Sequence, residues 1–177
     1  LGHRGLPLLD PFLLLDKFRS RDPREFEKGF PNHPHRGFET VSIVLDGHVL
    51  HGDSVGNKGD IAGGGVQWMT AGRGIVHAET PKPLTEEEAT LHGIQLWTTL
   101  PRSLKQMAPR YQNLASEGVP VVERGGSTTR VIGGELAGAR GPGETLMPLV
   151  VAHVAIAAEG AFESPVPVEF EMGAYVI

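Results

Sequence analysis

"HPHRGFET", residues 33–40, carries two imidazoles one residue apart and a carboxylate four residues beyond the second. "TAGRGIVHAE", residues 70–79, offers a second i, i+2 pair, His77 and Glu79, behind Gly72 and Gly74. In an extended chain, residues of one parity share a face. If residues 33–45 are extended, His33, His35 and Glu39 lie on the face of Val41, Ile43 and Leu45, and that apolar row marks the face as buried. His77 and Glu79 share parity with Ile75 in the same way. Buried imidazoles and carboxylates are costly unless paired or bound to a cation. Two such strands meeting across a barrel would therefore build a metal site. Three imidazoles and a carboxylate, Glu39 or Glu79, suit a divalent first-row ion, and the lack of thiolate argues against a structural zinc knuckle. On an octahedral ion those ligands would leave positions open for water, oxygen or substrate.

An isolated H-x-H carries little weight, and a lone histidine is more often a surface or hydrogen-bonded one. The second pair, following a G-x-G turn, carries the inference. His3, His48, His51, His92 and His153 lack such partners and are read as structural. Trp68 and Met69 are read as core or pocket wall. "GGG" at 63–65 reads as a turn, because no phosphate-binding signature follows it.

The elements that must position these residues are short and β-favouring. Phe38–Leu45, Val49–Asp53, Val66–Thr70, Ile75–Thr80 and Leu91–Leu100 are each bounded by Gly, Pro, Asn or Asp. That spacing predicts an all-β antiparallel sandwich or barrel. "DG" at 46–47 and "NKG" at 57–59 signal turns. Residues 1–30 read as an apolar lead-in followed by a charged run. "LTEEEATL" (84–91) and "RSLKQMAPRYQNL" (102–114) are the best helical pieces, the second interrupted by Pro109. A second block starts near Val119, with strand-like runs at Val119–Glu123, Thr129–Gly133, Leu149–Ala157 and Val168–Ile177. Two domains are expected: 1–118, holding the metal, and 119–177, the start of a second barrel that ends in mid-strand at "MGAYVI".

Composition sets the remaining bounds. Of 177 residues, 40% are hydrophobic and 21% charged, too apolar for disorder. The 24 Gly and 14 Pro favour strands and turns over long helices. A net charge of −5 offers no basic field for nucleic acid or an anionic membrane. Cysteine is absent, which excludes disulfides, thiolate ligands and cysteine nucleophiles. "LPLLDPFLLLDKF" is interrupted by Asp10, Pro11 and Asp16, against a signal peptide or membrane span. A soluble, cytoplasmic protein is the expectation.

The first histidine segment resembles the H-x-H-x3–4-E-x6-G motif of metal-binding cupins, through His33, His35, Glu39 and Gly47, with one extra residue before the glycine. Gly72, Gly74 and His77 resemble their P-x-G-x2-H motif, with Gly for Pro. More specifically, "FPNHPHRGFETVS", "VQWMTAGRGIVHAE" and "LHGIQLW" are similar to signature segments of the pirin family. "DPFLLLDKF", "PRYQ" and "VIGGELAG" follow suit. Gly65 departs by standing where an acidic residue is usual. The resemblance implies a bicupin of two jelly-roll barrels (double-stranded β-helices), the second incomplete here, with metal in the first only. It implies His33, His35, His77 and Glu79 as ligands, with Glu39 a neighbouring carboxylate that orients a histidine. The ion implied is Fe(II), with Mn, Ni, Co, Cu or Zn as alternatives. The implied activity is that of a quercetin 2,3-dioxygenase, cleaving a flavonol with O2, with Glu79 or else Glu39 as general base. The alternative it implies is an iron-dependent redox-sensing regulator that binds transcription factors or metabolic enzymes, without direct contact to nucleic acid or membrane.

Overall fold

The computed structural model describes residues 9–82 and 90–177. They form two compact units, Leu1–Ser116 and Glu117–Ile177. Strands dominate, as the turn-punctuated sequence predicts, and all named strand pairs are antiparallel.

The first unit is two facing sheets. Strands β1 (Phe12–Ser20), β8 (Leu91–Thr99), β3 (Phe38–Asp46), β6 (Val66–Thr70) and β9 (Arg110–Leu114) lie side by side in that order. Strands β2 (Phe30–His35), β7 (Ile75–Pro81), β4 (His48–Asp53) and β5 (Lys58–Ala62) form the other sheet. Val44 and Leu91 from the first sheet pack on Val49 and Ile61 from the second, with Phe18 and Phe26 against them. A second group, Met69, Ala71 and Ile75, packs with Tyr111. Burial of such side chains contributes roughly 1.5–3 kcal/mol each, and here it clamps the sheets together.

Several elements differ from the sequence reading. The lead-in contains β1, which pairs along its length with β8. The charged run behind it holds a single helical turn, α1 (Pro23–Phe26), capped by the Asp22 side chain on the Arg24 amide at 3.0 Å. Helix is absent from 110–114, where "RYQNL" adds to the edge of β6. Pro109 stops any helix, and an open sheet edge then offers hydrogen bonds that an isolated turn cannot. The expected helical piece 84–91 lies almost wholly outside the described residues, and Leu91 opens β8. The turn expected at "NKG" falls earlier, at residues 54–56, because the Asp53 carboxylate accepts from the Val55 and Asn57 amides.

The second unit has a three-stranded sheet, β10 (Val121–Arg124), β11 (Ser127–Gly133) and β14 (Val151–Ile156), with β11 central. Its short ribbon pairs β12 (Glu135–Leu136) with β13 (Ala139–Arg140). Residues 168–177, read as strand-like, form none. A β-favouring run becomes a strand only where a neighbour can pair with it.

Candidate metal centre

One break in the chain decides the site. Residues 33–45 are not a single strand: Arg36 and Gly37 separate β2 from β3, and Gly37 has φ +78°. The two strands therefore enter opposite sheets, and the shared parity of residues 33–45 does not survive the turn. His33 and His35 sit on β2, where His33 faces His77 and His35 faces Ile75 of β7. A second turn positions β7. Gly72 has φ +50°, and a Cβ there would collide with the Met107 carbonyl oxygen. Its own carbonyl accepts from the Gly37 amide at 2.8 Å, which ties the two turns together.

His33, His35 and His77 converge, with one ligand atom from each lying within 4.8 Å of the others. Their ring centroids are 4.3–4.9 Å apart. His33 Nδ1 lies 2.7 Å from the Pro31 carbonyl oxygen, which can only accept, so Nδ1 carries the proton and Nε2 a lone pair. His35 Nε2 and His77 Nε2 are buried without hydrogen-bond partners. Burial, reinforced by the neighbouring His33, lowers the His35 pKa to about 4. Burial, then His33, His35 and His51, lowers that of His77 to about 3, with Asp53 partly opposing. Three converging imidazoles, two of them with a buried and unpartnered Nε2, are the donor set a divalent metal needs.

Neither Glu79 nor Glu39 joins the group of three among the described residues, and the two glutamates part company. Glu79 is 5% exposed and lies two residues beyond His77 on the inward face of β7. Its carboxylate accepts from Gln67 Nε2, from Ser42 Oγ at 3.3 Å and from Gln95 Nε2 at 3.2 Å. Burial raises its pKa, opposed first by the Gln95 hydrogen bond and also by the one from Ser42. Ser42 faces Glu79, so by alternation Glu39 lies on the opposite face of β3, with Val41 and Ile43. There Glu39 is wholly buried, accepts from Thr70 Oγ1 at 2.6 Å and leaves Oε2 without a partner. Burial raises its pKa too, against the hydrogen bond from Thr70. Trp68, opposite Val41, shares that face and does not wall the histidine cluster. The aromatic surface beside the histidines is instead Phe38 and Trp97, with centroids 5.0 and 5.3 Å from His35. Phe38, the residue just before Glu39, has the parity of Ser42.

His51, read as structural from the sequence, is packed into the site. Its Nδ1 is 3.4 Å from His77 Nδ1 and its Nε2 is 3.2 Å from Asp53 Oδ2. The signal available was H-x-D at 51–53, an i, i+2 pair of the same kind as the others. Nothing in local spacing marks Phe38, Gln67, Gln95 or Trp97, which reach the site from three strands of the opposite sheet.

Two antiparallel sheets closed over an inward histidine cluster define a cupin. The pirin family profile matches residues 1–98, and the chain belongs to the pirin family. It is 43% identical over 169 residues to a pirin-like protein of Caulobacter vibrioides, covering 94% of this chain and 60% of that one. Mouse pirin is 45% identical over 168 residues, covering 94% of this chain and 55% of its own. The chain thus spans about half to three-fifths of the length of its curated relatives. A solved quercetin 2,3-dioxygenase from Acinetobacter baumannii superposes with TM-score 0.74 at 42% identity, covering 81% of this chain and 52% of that one. The bacterial pirin YhhW from Escherichia coli, solved in complex with nickel(II), superposes with TM-score 0.52 at 26% identity, covering 73% of this chain and 59% of that one. Among the described residues, no helix is long and apolar enough to cross a membrane.

Proposed function

We propose that this protein is a metal-dependent dioxygenase that takes Fe(II) and cleaves a flavonol such as quercetin with O2, releasing carbon monoxide and a depside. The observation that carries this reading is the convergence of three imidazoles, His33, His35 and His77, with one ligand atom from each within 4.8 Å of the others. His33, His35 and His77 would hold the ion, with Glu79 as the carboxylate of the set. Bound iron would supply Lewis acidity toward the substrate's hydroxyl and carbonyl oxygens and an electron source for oxygen chemistry. The 42% identity to a solved quercetin 2,3-dioxygenase supports the substrate class.

The chain's own groups have defined tasks in this reading. Glu79 takes the flavonol hydroxyl proton onto a carboxylate oxygen, and its raised pKa suits a group that must hold a proton and return it. Gln67, Gln95 and Ser42 orient that carboxylate by hydrogen bonds. Gln95 is itself held by Trp97, whose Nε1 donates to Gln95 Oε1 at 2.8 Å. Phe38 and Trp97, tilted 35° with centroids 4.7 Å apart, offer a flat aromatic wall beside His35 for a planar substrate.

Oxygen uptake by protein reconstituted anaerobically with Fe(II), followed on adding quercetin with His77→Ala as control, tests the proposal. Metal-dependent uptake with loss of flavonol absorbance is the expected result. A full equivalent of bound iron without uptake would overturn the dioxygenase reading, and the redox-sensing regulator would take its place.

A further inference from the structure

His51 has no task in the proposed chemistry, yet the barrel is built around it. Its side chain and that of Asp53 are fully buried. Register places His51 opposite Glu79 and Asp53 opposite His77, so the four groups share one inward patch between β4 and β7. The His51 ring stacks on Tyr111 of β9, centroids 4.4 Å apart and planes within 15°. Room for the Tyr111 ring comes from Gly59, directly across from His51 on β5, where a Cβ would collide with the Tyr111 hydroxyl oxygen. Two strands of one sheet and one of the other thus hold a single imidazole beside His77, ring centroids 5.2 Å apart and planes tilted by 46°.

The hydrogen bonds then have a direction. Asp53 accepts from Asn57 Nδ2 at 2.8 Å and from the Val55 and Asn57 amides, a set of donors that requires a carboxylate. A carboxylate beside His51 Nε2 places the proton on Nε2. With that proton on Nε2, the His51 lone pair is on Nδ1, 3.4 Å from His77 Nδ1. His77 must donate there, and its own lone pair falls on Nε2, the buried atom without a partner.

We propose that His51, oriented by Asp53 and Tyr111, is a positioning residue that fixes His77 in the tautomer whose Nε2 lone pair faces His33 and His35. His33 reaches the same tautomer through the Pro31 carbonyl, so two of the three rings are preset by different partners. In the other tautomer His77 would present an N–H to the site and repel a cation. The role is one step removed from the metal and rests on the metal-site reading above. Partners of this kind are typically worth about 10–100-fold in metal affinity.

The test has two readouts. Long-range 1H–15N NMR of the metal-free protein at about pH 8, above the imidazole range, should show His77 protonated on Nδ1 and His51 on Nε2. His51→Phe, which keeps the stack on Tyr111 but removes the acceptor, should release His77 to a mixture of tautomers. The same variant should weaken Ni(II) binding, read by calorimetry, by about 10–100-fold. His51→Asn, which returns an acceptor near the Nδ1 position, should recover much of that loss. An Nε2-protonated His77 in the wild type would overturn the proposal whatever the variants do. So would unchanged Ni(II) affinity in His51→Phe, or His51→Asn binding as weakly as His51→Phe. Failure of the wild type to bind Ni(II) would sink the metal-site reading instead, while the tautomer measurement on the metal-free protein would still stand or fall alone.

Discussion

At the scale of single residues, the site is a contest between burial and charge. His35 and His77 are 8% and 0% exposed, and burial is the first cause of both lowered pKa values. Their folded values, about 4 and about 3, lie below the unfolded imidazole value of 6.5. Below that value the unfolded chain gains protons that the folded one refuses, so these two rings subtract stability as pH falls from 6.5 toward the folded values. Buried Glu39 and Glu79, with raised pKa values, act in the opposite sense. The histidine part is isolated by comparing denaturation of metal-free wild type with a His35→Gln/His77→Gln variant. The variant should gain on the wild type steadily between about pH 6.5 and pH 4, and a constant difference would show that the rings titrate normally. His77→Ala should abolish retention of iron, checked by metal analysis after gel filtration. Glu79→Gln should weaken metal binding more than Glu39→Gln, because Glu39 lies on the far face of β3; titration of each variant with Fe(II) would expose the reverse order.

At the scale of elements, two turns do most of the positioning. The 36–37 turn sends His33 and His35 into one sheet and Glu39 into the other, and the 71–74 turn brings β7 back alongside β2. Gly72 sits in the left-handed region, with the Met107 carbonyl where a side chain would go. Gly72→Ala should therefore cost about 1–3 kcal/mol of stability, read as a drop in denaturation midpoint. It should also weaken metal binding, because His77 hangs on the strand that this turn starts. Unchanged stability would mean that the turn relaxes freely.

At the scale of the whole molecule, metal and fold are linked. A metal that binds the folded unit and not the unfolded chain stabilises it by about 2.7 kcal/mol when free metal stands at about 100 times its Kd. Melting curves with and without Ni(II) should show that rise, and a chelator should remove it. A Tm indifferent to Ni(II) would mean that the three histidines do not form a site in solution. The effect belongs to the unit Leu1–Ser116, which contains all three histidines.

Much of this protein is written in local sequence. Turn residues at short intervals and β-favouring runs between them determined an all-β antiparallel chain, because those preferences act over a few residues. The H-x-H at 33–35 and the H-x-E behind a G-x-G turn marked the histidines that converge, because period-two alternation is also local. The tertiary structure decided the rest. Parity carried Glu39 into the site on paper, but a single positive-φ glycine between two strands resets which face points inward. β1 and β9 became strands because sheet edges were there to receive them, a condition no local pattern expresses. The hydrogen-bond partners of the candidate site, Gln67 and Gln95 on Glu79 and His51 on His77, come from different strands of the chain. Their roles follow from register across two facing sheets, and only folding sets that register.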